Sequence, residues 1–296
     1  MKTQSADFII EAGALKEYHG ASADVVIPDN VTEISGGAFG GMSVASVTLP
    51  EGLKKISGAF CDCDSLKTIN LPEGLKEISH SFDSCDSLQT INLPEGLKEI
   101  SYSFFFGCKS LKSITLPNTL EILKRSFGYS GLERVTIPSG ISMIGSNDYQ
   151  DGCFSGCDSL KEVVIEEGVS CIGADCFSNC PSLEEITIPA SVKEIGDFAF
   201  QECKNLSNVI ILGSNTKVGM SAFRDCPSLV SVTASASVLK GILRDYGKRE
   251  WKPFYNTPWY DSKRKEECRA LGICEDCGRS VRGAFIKKCS HCGRKH

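Results

Sequence analysis

The chain has no long hydrophobic run. Met1–Ile10 lacks the continuous apolar core of a secretory signal, and no later stretch approaches the length of a membrane span. A soluble, cytoplasmic protein is therefore expected, surface or secreted only if a leader was removed. Histidine is scarce, with four residues in 296 (His19, His80, His291 and His296). No nucleophile elbow, phosphate-binding glycine loop or zinc-protease helix motif occurs, so no catalytic residue is assigned and a non-enzymatic protein is expected.

Charge is unevenly placed. Residues 240–296 hold 15 Lys/Arg against 7 Asp/Glu, whereas residues 1–239 hold 17 against 30, so the overall charge of -5 divides near Ser237 into an acidic body and a basic tail.

The body is a repeat. A Leu/Ile-Pro dipeptide ends at Pro28, Pro50, Pro72, Pro94, Pro117, Pro138 and Pro189, with Glu166 and Leu212 where the proline is missed, and successive marks lie 21 to 28 residues apart. That is a solenoid period. One aligned column reads Val44, Leu66, Leu88, Leu111, Leu132, Leu160, Leu183, Leu206 and Leu229, and three residues later the chain repeats Val or Ile. Leu-x-x-Ile-x-Leu-Pro alternates like a strand that ends at a proline unable to donate to a ladder. A shorter extended piece, Gly-Leu-x-x-Ile, follows. The chain then turns through Ala/Ser-Phe-x-x-Cys, which gives a column of Phe39, Phe60, Phe82, Phe105, Phe127, Phe154, Phe177, Phe200 and Phe223. Nine of the 15 phenylalanines share this site, which marks them as core. The following cysteines (Cys63, Cys85, Cys108, Cys157, Cys180, Cys203 and Cys226, with Met42 and Ser130 in the gaps) read as free thiols filling small core sites in a reducing compartment.

These columns resemble the BspA type of leucine-rich repeat. The resemblance covers about residues 22–235, and implies a curved, β-rich leucine-rich-repeat solenoid with a parallel sheet on its concave face, short helical turns, and a role in binding proteins or surfaces. Residues 1–21, with Phe8–Ile10 and Leu15–Tyr18 around Glu11-Ala-Gly13, are expected to form a capping hairpin. The solenoid is taken as residues 22–236, and residues 237–273 as a helical cap and linker.

Within each strand the x residues point outward. In the first coils they are Ser, Thr and Asn, suited to hydrogen-bond their own copies. Later coils break the pattern, and Arg134, Glu162, Val164, Glu185 and Ile210 are the candidate partner-binding residues, joined by Tyr149 in an inserted polar loop around Ser146–Gly152.

The last segment, residues 274–296, contains Cys274-Glu-Asp-Cys277-Gly278 and Cys289-Ser-His-Cys292-Gly293 separated by eleven residues. Two such knuckles fit a tetrahedral four-thiolate structural zinc (Zn2+) site and resemble a short zinc ribbon. The expected function is a monomeric protein-interaction scaffold binding a protein partner through the repeat surface, with the zinc ribbon as anchor or second contact. A cell-surface adhesin-like role is one alternative; a nucleic-acid-associated factor acting through the basic tail is another.

Overall fold

In the computed structural model, residues 7–146, 152–243, 262, 263 and 266 are described. The chain winds as a β-solenoid of about nine turns with almost no helix. The coils contribute strands to two parallel ladders, except that the coil of Ser113 meets the long ladder only by an isolated bridge to Arg134. The long ladder comprises Asp24–Val26, Ser46–Thr48, Thr68–Asn70, Thr90–Asn92, Arg134–Ile137, Glu162–Ile165, Glu185–Ile188, Asn208–Ile211 and Ser231–Thr233. The short ladder holds the Gly-Leu-x-x-Ile pieces, from Glu33–Ile34 to Lys217–Val218.

Proline sets strand length. Where it is replaced, the amides of Glu166 and Leu212 donate to Ile137 and Ile188 in the preceding coil, and the strands that pair there have four residues rather than three. An N–H added at that position extends the ladder by one bond.

Between strands the nine phenylalanines form one continuous stack, with centroids 5.0–5.8 Å apart and ring planes within 20° of parallel. All nine are fully buried. Their coils do not form the helical turns expected from the sequence. Left-handed residues stand two positions before and two after the phenylalanine, as at His80 and Ser84 around Phe82, or Phe198 and Glu202 around Phe200, and they interrupt any helix. Amides at the phenylalanine and two residues beyond it donate to the following coil (Phe60 to Ser81, Asp62 to Asp83), adding a third line of hydrogen bonds.

The cysteine column does more than fill space. Each of Cys63, Cys85, Cys108, Cys157, Cys180, Cys203 and Cys226 donates its S–H to the phenylalanine carbonyl of the preceding coil, at 3.0–3.2 Å. Several of these carbonyls also accept the amide three residues on (Met42 to Phe39 at 3.0 Å, Ser130 to Phe127 at 3.1 Å), so the thiol supplies a second bond from the next coil to the same buried oxygen. All eleven cysteines among the described residues are free.

Both ends of the stack are closed. Phe8–Glu11 and Ala14–Tyr18 form an antiparallel hairpin turning at Ala12 and Gly13, both with positive φ. Its second strand pairs with Glu33–Ile34, and Phe8 and Tyr18 continue the ring stack onto Phe39 at 5.0 and 5.2 Å. At the other end Ala236–Leu243 is a helix whose Val238 amide is capped by Ser235 Oγ at 3.3 Å. Val238 and Ile242, one turn apart, are buried against the last coil.

The ladders are not continuous. Among the described residues no backbone bond joins Glu77–Ser79 to Glu99–Ile100, Thr90–Asn92 to the next coil, or Glu162–Ile165 to Glu185–Ile188. The first two gaps flank a single coil. There Phe104 occupies a position that is Ala, Ser or Cys in every other coil (Ala59, Ser81, Ser126, Cys153), and its buried ring lies edge-on to Phe105 at 4.5 Å and 5.7 Å from Phe82. A phenyl ring in an alanine-sized slot pushes the neighbouring coils apart. Ile91, on the strand facing the second gap, is only half-buried, unlike the isoleucine Ile69 one coil earlier. On its other side this strand is held to the preceding coil by a side-chain clamp, in which the Asn92 amide accepts from the Leu71 N–H at 2.8 Å and donates to the Leu71 carbonyl at 3.0 Å.

Candidate partner-binding face

Alternation along the long-ladder strands decides which side chains reach solvent. In Arg134–Ile137, Glu162–Ile165 and Glu185–Ile188 the first and third residues are exposed and the second and fourth buried. Register then aligns them into two rows. Arg134 stands beside Glu162, and Glu185 beside Asn208; one step along, Thr136 pairs with Val164 and Thr187 with Ile210. Arg134, Glu162, Val164, Glu185 and Ile210 are thus brought to one face, with Ile210 half-buried and the others exposed. Tyr149 and the ligand set Cys274, Cys277, Cys289 and Cys292 lie outside the described residues.

The two halves of this face differ in chemistry. In the first coils the outward residues are spent on each other: Ser46 Oγ donates to Asp24 at 2.5 Å, and Thr90 Oγ1 to Thr68 at 3.1 Å. In the later half, the gap between Glu162–Ile165 and Glu185–Ile188 opens as a groove of about 730 Å³. Val164 and Thr187 line its middle, Leu212 (57% exposed) closes one end, and Lys161, Glu162, Glu184 and Glu185 bring the charge.

Two further carboxylates act structurally. Glu166 Oε2 accepts from the Ser139 amide at 3.0 Å, and Glu167 accepts from the Ala190 and Ser191 amides, both at 2.9 Å, so neighbouring glutamates hold the loops of opposite coils. The Ala190 amide, then that of Ser191, holds the Glu167 carboxyl below its ordinary value. Among the described residues, no hydrogen bond or ion pair engages the carboxylate of Glu162, Glu184 or Glu185. The groove therefore presents three unspent carboxylates beside Val164 and Thr187.

Glu184, Glu167 and Leu212 escape a reading by strand alternation because they flank the strands. Sequence reasoning also missed an aromatic row on the turn side. His80 stacks on Tyr102 (5.1 Å, 10°), and Phe106 meets Tyr129 edge-on at 5.3 Å, with Tyr102, Phe106 and Tyr129 all exposed. The available signal was an aromatic at a left-handed turn position, φ 56° at Tyr129, that is Asp, Ser, Asn or Gly in most other coils.

Nothing in the thiol column is poised for nucleophilic chemistry. Burial pushes Cys63, Cys108 and Cys226 up to about 12 and Cys157 to about 11, and Cys85, Cys180 and Cys203 upward as well. These are protonated donors.

The family model described as the BspA type leucine rich repeat region matches residues 10–129 and 121–242. Among solved structures, the pneumococcal vaccine antigen PcpA is 22% identical with a TM-score of 0.50, the match covering 73% of this chain and 63% of that one. A leucine rich repeat protein of T. pallidum is 24% identical (88% of this chain, 99% of that one, TM-score 0.44). A leucine rich cell surface protein of Faecalibacterium prausnitzii is 21% identical (82% and 97%, TM-score 0.41). No curated protein matches the sequence.

Proposed function

The chain belongs to the BspA-type leucine-rich repeat family, and from that premise we propose that it is a non-enzymatic interaction scaffold binding a protein partner through the later half of the long-ladder face. The observation that carries this reading is the groove of about 730 Å³ with exposed Val164 and unspent Glu162, Glu184 and Glu185, on a face whose first half is zipped to itself. Apolar centres with polar rims are the usual anatomy of a protein interface. A reducing, cytoplasmic setting is supported by the column of S–H donors, because oxidation would remove the proton each bond requires.

The test is affinity capture from native cell lysate with the full chain and with a face variant, Glu162→Lys/Val164→Asp/Glu185→Lys. Loss of the partner by the face variant is the expected result. A partner retained by the face variant but lost when Cys274→Ser and Cys292→Ser are introduced would place recognition in the tail and reject this reading.

In the same proposal Cys274, Cys277, Cys289 and Cys292 hold one structural zinc. The support is their paired Cys-x-x-Cys-Gly spacing. Four protein ligands leave no open position for substrate. Elemental analysis of protein purified without chelator should find about one zinc per chain, falling to background in Cys274→Ser/Cys292→Ser. Equal zinc in both proteins would remove the assignment.

A further inference from the structure

We propose that the groove between Glu162–Ile165 and Glu185–Ile188 receives an extended segment of the partner in which Lys or Arg alternates with small apolar residues. This rests on the interaction reading above and names the chemistry of what binds. The groove floor carries two parallel rows that run from coil to coil: a carboxylate row, Glu162 and Glu185, and a neutral row, Val164 and Thr187. Side chains of an extended peptide lying flat across the coils project alternately to its two sides. One side meets the carboxylates and the other meets Val164 and Thr187.

Charge fixes the sign of the occupant. Among the described residues, the carboxylates of Glu162, Glu184 and Glu185 have no partner and Lys161 is the one cation lining the groove. An anionic or purely apolar segment would leave these carboxylates uncompensated on docking, whereas a cationic one neutralises them. The rows also have ends. Arg134, in register with Glu162, bounds the acidic row on one side, and Asn208, in register with Glu185, bounds it on the other. Two cationic residues separated by one apolar residue are therefore the complement of the central pair.

The test is fluorescence anisotropy with the full chain and three labelled probes: the peptide Lys-Val-Lys-Val-Lys-Val, the block-order peptide Lys-Lys-Lys-Val-Val-Val, and Glu-Val-Glu-Val-Glu-Val. The alternating cationic probe should bind at least about tenfold more tightly than either other peptide. Its affinity should fall with added salt, and fall about tenfold in Glu162→Gln/Glu185→Gln, whose substitutions are at exposed sites and leave the core intact. Equal binding of the block-order peptide, or unchanged binding in the double variant, overturns the proposal. So does tighter probe binding in Lys263→Glu/Arg264→Glu/Lys265→Glu, which would make the chain's own basic tail the occupant of the groove. If the probe fails while the face variant still loses the native partner, the basic-segment assignment falls and the interaction reading stands. If probe and partner are both indifferent to the face, both fall.

Discussion

Phe154→Ala is expected to destabilise the protein by about 3–5 kcal/mol, read as a shift of the urea unfolding midpoint. Phe154 is fully buried, with Phe127 stacked at 5.1 Å on one side and Phe177 at 5.2 Å on the other. Truncation removes two stacking partners at once and leaves a ring-sized void. Collapse into that void is opposed on every side. The Phe127 amide donates to Cys153 and the Phe154 amide to Cys176, while the Phe154 carbonyl receives the Cys180 S–H at 3.2 Å, so the backbone around the gap is fixed from both neighbouring coils. Each coil of a solenoid is stabilised mainly by its neighbours, so a loss in the middle weakens two interfaces. Phe106→Ala provides the comparison. That ring is 38% exposed on the turn side, and its loss should cost less than about 1 kcal/mol. A Phe154→Ala cost as small as that of Phe106→Ala would mean that the stack is not the principal support of the core.

The columns were legible in the sequence because each recurs at a fixed offset. Leu66, Phe82 and Cys85 needed only the period to be placed inside, and Glu162, Val164 and Glu185 stood out by breaking a Thr/Asn pattern. What the sequence could not show depends on neighbours rather than on periods. Tyr18 and Phe8 extend the ring stack although they precede the first repeat and share none of its markers. Phe104 reads as one more apolar residue in a Phe-rich stretch, yet its bulk accompanies gaps in both ladders. The groove exists because two strands that follow the repeat rule fail to pair, a fact carried by coil geometry and not by either strand's composition. Cysteine misled in a subtler way. Its size and burial were readable, but its role as a donor appears only when the Phe carbonyl of the previous coil is seen beneath each sulfur.

The burial of those same thiols gives the largest expected effect, a steep loss of stability in alkali. In the unfolded chain these thiols ionise at about pH 9, while burial keeps Cys63, Cys108 and Cys226 protonated up to about 12 in the fold and raises the other column thiols too. Because the folded values are raised, the stabilisation is complete below pH 9 and is lost as pH climbs from there through the folded values. Within that window each thiol that ionises only on unfolding costs about 1.4 kcal/mol per pH unit. Seven column thiols acting together give at most roughly 10 kcal/mol per unit, comparable with the whole stability of an ordinary domain. Unfolding is therefore expected within one to two units above about pH 9, under reducing conditions, followed as the urea midpoint at stepped pH. Lysine and tyrosine also titrate in this range, so slope rather than absolute stability is the diagnostic. Serine at Cys108, Cys203 and Cys226 keeps a hydroxyl donor for Phe82, Phe177 and Phe200 but does not ionise there, and the triple variant should lose stability less steeply with pH even if it starts lower. A midpoint that stays level between about pH 8 and 10, or an unchanged slope in the triple variant, would show that ionisation of the buried thiols does not limit the fold.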